Sequence, residues 1–235
     1  MTKIALVTGA NKGIGKEIAR QLVGAGYEVL LGSRDLARGE AAAKEVGATA
    51  IQLAVTDPES VEQAAAAIAA EYGRLDVLVN NAAIIPAGDA GVVDIAPGVL
   101  RDGFETNVVG LVGVTQAMLP LLRKAPQARV VNMSTELASF TSVGDPASRM
   151  STVRTLGYNS TKAAVNMVTV MLANELRGSG ILVNAADPGN CATDMGGWDA
   201  GRTAAQGAAV AVRLATLAAD GPTGEVYAEA GRLPW

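Results

Sequence analysis

The stretch that decides the fold is Lys3-Ile4-Ala5-Leu6-Val7-Thr8-Gly9-Ala10-Asn11-Lys12-Gly13-Ile14-Gly15-Lys16-Glu17-Ile18. It begins as a short apolar run and continues as a helix-like segment, and the two meet at Gly9, Gly13 and Gly15. Glycines there let the backbone turn sharply and let a ligand approach it closely. They also leave the first turn of the helix, with its unpaired amides and positive dipole end, open to an anion. The spacing is G-x-x-x-G-x-G, placed directly after an N-terminal strand and before a helix. That context points to a cradle for the pyrophosphate of a dinucleotide, with Gly9, Asn11, Lys12, Gly13, Ile14 and Gly15 lining it.

Working outward, the same alternation continues to the end of the chain. Apolar runs at 3–8, 28–32, 49–53, 75–79, 129–133, 181–185 and 225–227 read as strands covered on both faces. Between them, 14–25, 36–46, 58–72, 99–124, 158–177 and 202–219 carry the composition and apolar period of helices. Asp57-Pro58 opens the third helix as an N-cap followed by a first-turn proline. Strand–helix alternation predicts α/β architecture, a single doubly wound domain over 1–235 with a seven-stranded parallel sheet flanked by helices on both faces. Two long loops, 135–157 and 187–201, follow carboxyl ends of strands, where open α/β sheets bind ligands.

Composition excludes several classes of function. The 235 residues are 49% hydrophobic and carry a net charge of −4; the mean hydropathy is +0.26 and the pI about 5.0. Dispersed acidity argues against a nucleic-acid or anionic-membrane partner, which needs a basic face. There is no histidine, which removes Ser-His-Asp and Cys-His catalysis and histidine-based metal sites. No metal site is expected. Cys191 is the single cysteine, so no internal disulfide forms and a reducing, cytoplasmic setting is expected. The apolar run near the N-terminus is too short for a signal peptide, and no stretch is long enough for a membrane span.

The chemistry is carried by a few polar residues. Tyr158 and Lys162 stand at i and i+4 and share a helix face. An ammonium beside a phenol favours the phenolate and lowers the tyrosine pKa from its usual value of about 10. A bound oxidised nicotinamide would add to that positive charge. Such a tyrosine can exchange a proton with a carbonyl oxygen near neutral pH. Ser134 ends the fifth strand and can polarise the same oxygen, and Asn107 lies in the long helix after the fourth. At the end of the second strand stands Ser33-Arg34-Asp35. Arg34, with Lys12, suits a ribose 2′-phosphate and favours NADP(H), while Asp35 suits a free 2′-hydroxyl and keeps NAD(H) open.

These residues together resemble the short-chain dehydrogenase/reductase family, over essentially the whole chain. The matching pieces, in order, are Thr8 to Gly15, Asn80-Asn81-Ala82-Ala83, Asn107, Ser134, Tyr158-Asn159-Ser160-Thr161-Lys162 and Pro188-Gly189. Asn-Lys-Gly-Ile-Gly, the Ser33-Arg34-Asp35 turn and a Trp-terminated tail look most like its NADPH-dependent carbonyl reductases. The resemblance implies a Rossmann-type fold and hydride transfer between NADP(H) and a carbonyl or alcohol. It implies Tyr158 as proton donor, Ser134 as holder of the carbonyl oxygen, and Lys162 as ligand of the nicotinamide ribose and modulator of Tyr158. Asn107 would anchor a water leading from Lys162 to bulk solvent. Lys12 and Arg34 would hold the 2′-phosphate, and Asn80 and Asn81 would pack at the ribose. Pro188, Gly189, Cys191 and Thr193 would border the nicotinamide.

The sequence departs from the family pattern in three places. Ala54 stands where members often carry an acid that meets the adenine, and Ala83 replaces the last glycine of Asn-Asn-Ala-Gly. The interval between Ser134 and Tyr158 is longer than in ordinary members and is expected to reshape the substrate mouth. Phe140, Met150, Met195 and Trp198 in the two loops suggest an apolar or aromatic ketone or aldehyde. Helices 99–124 and 158–177 are apolar on more than one face, through Val108, Leu111, Val112 and Met118 and through Val165, Val168, Met171 and Leu172. Such faces are covered either by a second subunit, giving a homo-oligomer (dimer or tetramer), which is favoured, or by the inserted segment 135–157, leaving a monomer. The rival reading is a non-catalytic NADP-binding sensor or scaffold on the same fold.

Overall fold

A computed structural model describes residues 2–235. The first strands and helices alternate as β1 (Ile4–Val7), α1 (Gly13–Gly24), β2 (Glu28–Ser33), α2 (Leu36–Val46), β3 (Thr49–Gln52), α3 (Pro58–Glu71) and β4 (Val77–Asn80). A helical stretch follows: α4 (Pro97–Phe104), a π-helical turn (Glu105–Val109) and α5 (Gly110–Leu122). After β5 (Ala128–Met133) come α6 (Phe140–Gly144), α7 (Leu156–Glu175), β6 (Ile181–Ala186), α8 (Ala204–Ala215), β7 (Val226–Ala228) and β8 (Gly231–Arg232).

The sheet runs β3-β2-β1-β4-β5-β6-β7-β8. It is parallel through β7, as expected, but an eighth strand of two residues closes the edge in antiparallel pairing with β7. Two residues are too few to carry a period, so nothing in the sequence marked them.

Alternating side chains of each strand feed two separate cores. On one face Ala5 and Val7 of β1 pack with Ile18 and Leu22 of α1 and with Ala211 and Leu214 of α8. On the other, Ile4 and Leu6 meet Ile68 of α3 and Met118 and Leu122 of α5. Strands covered on both faces explain the uninterrupted apolar runs. The chain moves from β1 to β2 on one side and to β4 on the other, so a crevice opens at the carboxyl ends of β1 and β4.

The predicted helix over 99–124 is the largest local revision. It divides at the π-turn around Asn107. Asp57 caps α3 as expected, accepting from the Glu59 N–H at 3.1 Å. Ala83 adopts an ordinary backbone conformation, since no residue other than glycine has positive φ among the described residues, so the loss of the family's glycine introduces no strain. No helix of the described residues is long and apolar enough to cross a membrane. Because Leu78 of β4 is fully buried in the second core, Leu78→Ala is expected to cost about 3 kcal/mol in equilibrium urea unfolding with an unchanged m-value.

Candidate active site

The glycine turn is shaped by its contact with the end of β4. Gly9 and Gly13 have φ of +61° and +57°, which favours glycine. A Cβ on Gly9 would lie 2.9 Å from the Ala82 Cα, and one on Gly15 would lie 2.4 Å from the Asn81 Nδ2. The Asn81 amide donates to the carbonyls of Thr8 and Gly9 at 2.9 and 3.1 Å. Thr8 Oγ1 accepts in turn from the Asn81 and Ala82 N–H groups, each at 3.0 Å. Asn11 and Ile14 lie half-buried beside this turn.

The turn fits a pyrophosphate. α1 begins at Lys12 with no side-chain cap and no acid in its first turn, so the positive end of its dipole is uncompensated. Lys12 is exposed, and its ammonium pairs across the crevice with Asp194 at 2.6 Å. Arg34 projects into solvent past the end of β2. Asp35 is engaged elsewhere: its carboxylate caps α2 by accepting from the Arg38 N–H at 3.1 Å and pairs with the Arg38 guanidinium at 3.4 Å.

Asn80 is spent inside the protein. Its amide donates to Thr115 Oγ1 at 3.0 Å and to Asn132 Oδ1 at 2.9 Å, away from the crevice. Of the Asn80-Asn81 pair it is therefore the Asn81 side chain that meets the glycine turn.

At the end of β5, Ser134 is 2% exposed and its hydroxyl donates to Asn166 Oδ1 of α7 at 2.6 Å. Lys162 is 3% exposed, and its ammonium donates to the carbonyl of Met133 at 2.7 Å. The same ammonium lies 5.7 Å from the centre of the Tyr158 ring. Thus Tyr158, Lys162 and Asn166 present one side of α7 to the Met133-Ser134 end of β5, as the i, i+4 spacing predicted for the first two.

The electrostatics differ from the expectation. Burial pushes the Lys162 ammonium down to about 8. Burial, followed by the nearby Asp187 carboxylate, pushes the Tyr158 phenol above its ordinary value rather than below it. The phenolate loses more hydration than the lysine returns in the protein by itself.

Asn107 is buried in the π-turn. It accepts the Ile84 N–H at 2.8 Å and donates to the Ile84 carbonyl at 2.9 Å and to Thr161 Oγ1 at 3.0 Å. Thr161 passes the connection on, donating to the Tyr158 carbonyl at 2.8 Å. Such single π-turns let one side chain leave the helical register.

The β6–α8 loop closes the site. Asp187 is buried, accepts the Gly189 N–H at 2.9 Å and is pushed up by burial. Gly189 follows Pro188 in the left-handed region at φ +69°. The buried thiol of Cys191 donates to the Pro188 carbonyl at 3.4 Å, and a Cβ on Gly207 would meet that sulfur at 2.4 Å. Thr193 Oγ1 donates to the Cys191 carbonyl at 3.3 Å, and its methyl would face a Cβ on Gly13 at 3.5 Å. The loops leave Phe140 80% and Trp198 75% exposed, with Met195 and Ile85 also exposed and Met150 half-buried.

Four residues that touch this site escaped the sequence reading: Asp89, Thr161, Asn166 and Asp187. Thr161 stood inside the quoted stretch Tyr158 to Lys162 without a role of its own, one place before Lys162, and Asn166 lies four places, one helical turn, after Lys162. A polar residue on the buried face of a helix was the available signal.

A pH prediction follows from the buried lysine. Its pKa is lower in the folded chain than in the unfolded one, so between pH 8 and 10 the unfolded state binds more protons and stability rises with pH. Above about pH 10 the raised Tyr158 acts in the opposite direction, because the unfolded phenol then ionises first. The Tm of the protein relative to Lys162→Met is expected to increase from pH 8 to pH 10 in thermal scans. A pH-independent difference contradicts the assignment.

Comparison with known proteins identifies the family. The family model for short chain dehydrogenase matches residues 3–202. The chain is 35% identical over 228 residues to the short-chain dehydrogenase anuI of Penicillium roqueforti, covering 91% of this chain and 88% of the relative. It is 34% identical over 280 aligned positions to carbonyl reductase [NADPH] 1 of Sus scrofa, covering 100% and 94%. The NADPH-bound carbonyl reductase from chicken fatty liver superposes with a TM-score of 0.86 at 26% identity, covering 100% of this chain and 99% of that one. The chain belongs to the short-chain dehydrogenase/reductase family of nicotinamide-dependent oxidoreductases.

Proposed function

We propose that this oxidoreductase reduces an apolar or aromatic ketone or aldehyde reversibly to the alcohol, with NADP(H) preferred over NAD(H) and Tyr158 as the proton donor. The observation that carries the reading is the convergence of Tyr158, Lys162 and Ser134 at the end of β5. When bound, the reduced nicotinamide supplies the hydride that goes to the carbonyl carbon.

The chain's own residues do the rest. The Ser134 hydroxyl turns from Asn166 to donate to the carbonyl oxygen, holding the carbon in place for attack. Tyr158 gives its phenolic proton to that oxygen as it becomes an alkoxide. Its raised pKa keeps the phenol protonated near neutral pH, the state an acid requires. Lys162, titrating near 8, is largely protonated there and offsets the charge left on the phenolate. Asn107 anchors the water that returns a proton by way of Lys162, and Pro188, Gly189, Cys191 and Thr193 border the nicotinamide.

Cofactor preference rests on Arg34, exposed and without a partner among the described residues, and on Lys12 at the glycine turn, together with Asp35 being committed to the cap of α2. The carbonyl reductases similar to this chain are named for NADPH. The apolar rim of Phe140, Trp198 and Met195 supports an apolar substrate. Exposed Val109, Met167 and Met171 support burial of these helices in a homo-oligomer.

The test is oxidation of NADPH, and separately of NADH, against a panel of apolar ketones, aldehydes and quinones. Tyr158→Phe is expected to lower kcat by about 10²–10⁴-fold with cofactor binding retained. Arg34→Ala is expected to raise the KM for NADPH by about tenfold, the loss of one charge-assisted contact, and to leave NADH unaffected. Preference for NADH in the unaltered protein overturns the cofactor assignment.

A further inference from the structure

The helix that carries Tyr158 has no cap of its own. α7 starts after Thr155, whose side chain makes no capping bond, and its first turn contains no acid. Three successive N–H groups would otherwise point outward unpaired. All three are met by residues of a distant loop: Leu156 donates to the Ala90 carbonyl at 2.9 Å, Gly157 to Asp89 Oδ1 at 2.7 Å and Tyr158 to Asp89 Oδ2 at 2.8 Å. One carboxylate thus grips two adjacent amides, the second belonging to Tyr158 itself. Charge-assisted bonds of this length, at the positive end of a helix dipole, are the strong kind.

The other side of the same turn is held as well. Asn107 reaches the Tyr158 carbonyl through Thr161, and also fixes Ile84 at the base of the loop that bears Asp89. Gly157 belongs to this arrangement, since a Cβ there would lie 3.0 Å from Asp89 Oδ1 and 3.2 Å from the other carboxylate atoms. The loop between Ile84 and Ala90 is therefore fixed at one end by Asn107 and at the other by α7.

We propose that Asp89 is a positioning residue for the reaction: its carboxylate, by holding the amides of Gly157 and Tyr158, sets where the Tyr158 phenol stands relative to Ser134 and Lys162. It touches neither substrate nor cofactor and acts through Tyr158. The inference rests on Tyr158 being the proton donor.

Asp89→Ala is expected to lower kcat for carbonyl reduction by about 10–100-fold, the cost of a small misplacement of an acid, while the Kd for NADPH is unchanged. Added to Tyr158→Phe, it produces no further loss. Asp89→Asn keeps one accepting oxygen and gives an intermediate kcat, and it serves if the alanine variant does not fold. Gly157→Ala lowers kcat in the parent but not in the Asp89→Ala background, where the crowding is gone. Hydrogen exchange of the Gly157 and Tyr158 amides, read by NMR without any substrate, accelerates in Asp89→Ala. An unchanged kcat overturns the proposal, as does a loss that persists in Tyr158→Phe or that follows weaker NADPH binding. If the parent reduces no carbonyl while the two amides respond to Asp89, the clamp stands and it is the proposed reaction that fails.

Discussion

The bond from the Lys162 ammonium to the Met133 carbonyl is the constraint around which the site is organised. A buried cation is costly unless its donors are matched, and here a main-chain oxygen at the last residue of β5 accepts from one of the three. That bond fixes α7 to the sheet one residue before Ser134. Serine, lysine and tyrosine are therefore all referred to one strand end, and Ser134 repeats the connection through Asn166. The remaining cost of burial appears as the lysine's depressed pKa of about 8. A group titrating there can hold a proton at neutral pH and still release it, which suits proton traffic.

Tyr158 is shifted the opposite way, and the divergence is informative. The surroundings push the two neighbouring pKa values apart, the phenol upward and the ammonium downward, which suits the proposed division between a phenol that acts as the acid and an ammonium that steadies its conjugate base. Asp187 adds to the phenol's shift from the floor of the β6–α8 loop, and burial raises its own pKa too. Dry surroundings account for the leading cause in all three cases. The spacing of Tyr158 and Lys162 predicted their proximity correctly, but the sign of the tyrosine shift depends on desolvation, which spacing does not reveal.

The legible features were those whose cause is local. Gly9, Gly13 and Gly15 announce a tight turn, Asp57-Pro58 announces a helix start, and Tyr158 and Lys162 share a face by helical geometry alone. The features that stayed hidden have tertiary causes. An unbroken apolar period runs through 99–124, so the π-turn has no sequence signature; it exists where Asn107 bonds Ile84 on one side and Thr161 on the other. Asp35 could be read toward ribose or solvent until its carboxylate is seen capping α2. Asp89 lies 68 positions from Gly157 and in a loop without periodicity, so only the folded chain brings them together.

The same loop also shows how the two halves of the site are joined. Its beginning, Asn81-Ala82, packs on the glycine turn through Thr8 and fills the space that side chains at positions 9 and 15 would need. Its middle is fixed by Asn107 at Ile84, and its end grips α7 at Asp89 and Ala90. A continuous set of bonds therefore runs from the phosphate cradle to the amide of Tyr158 without passing through the substrate loops. Phe140 and Trp198, exposed on those loops, take no part in it. Under the proposed reaction, change at the apolar rim alters which carbonyl compound enters without disturbing the acid or the cradle, whereas a change at Asn81, Asn107 or Asp89 acts on the chemistry for every substrate alike.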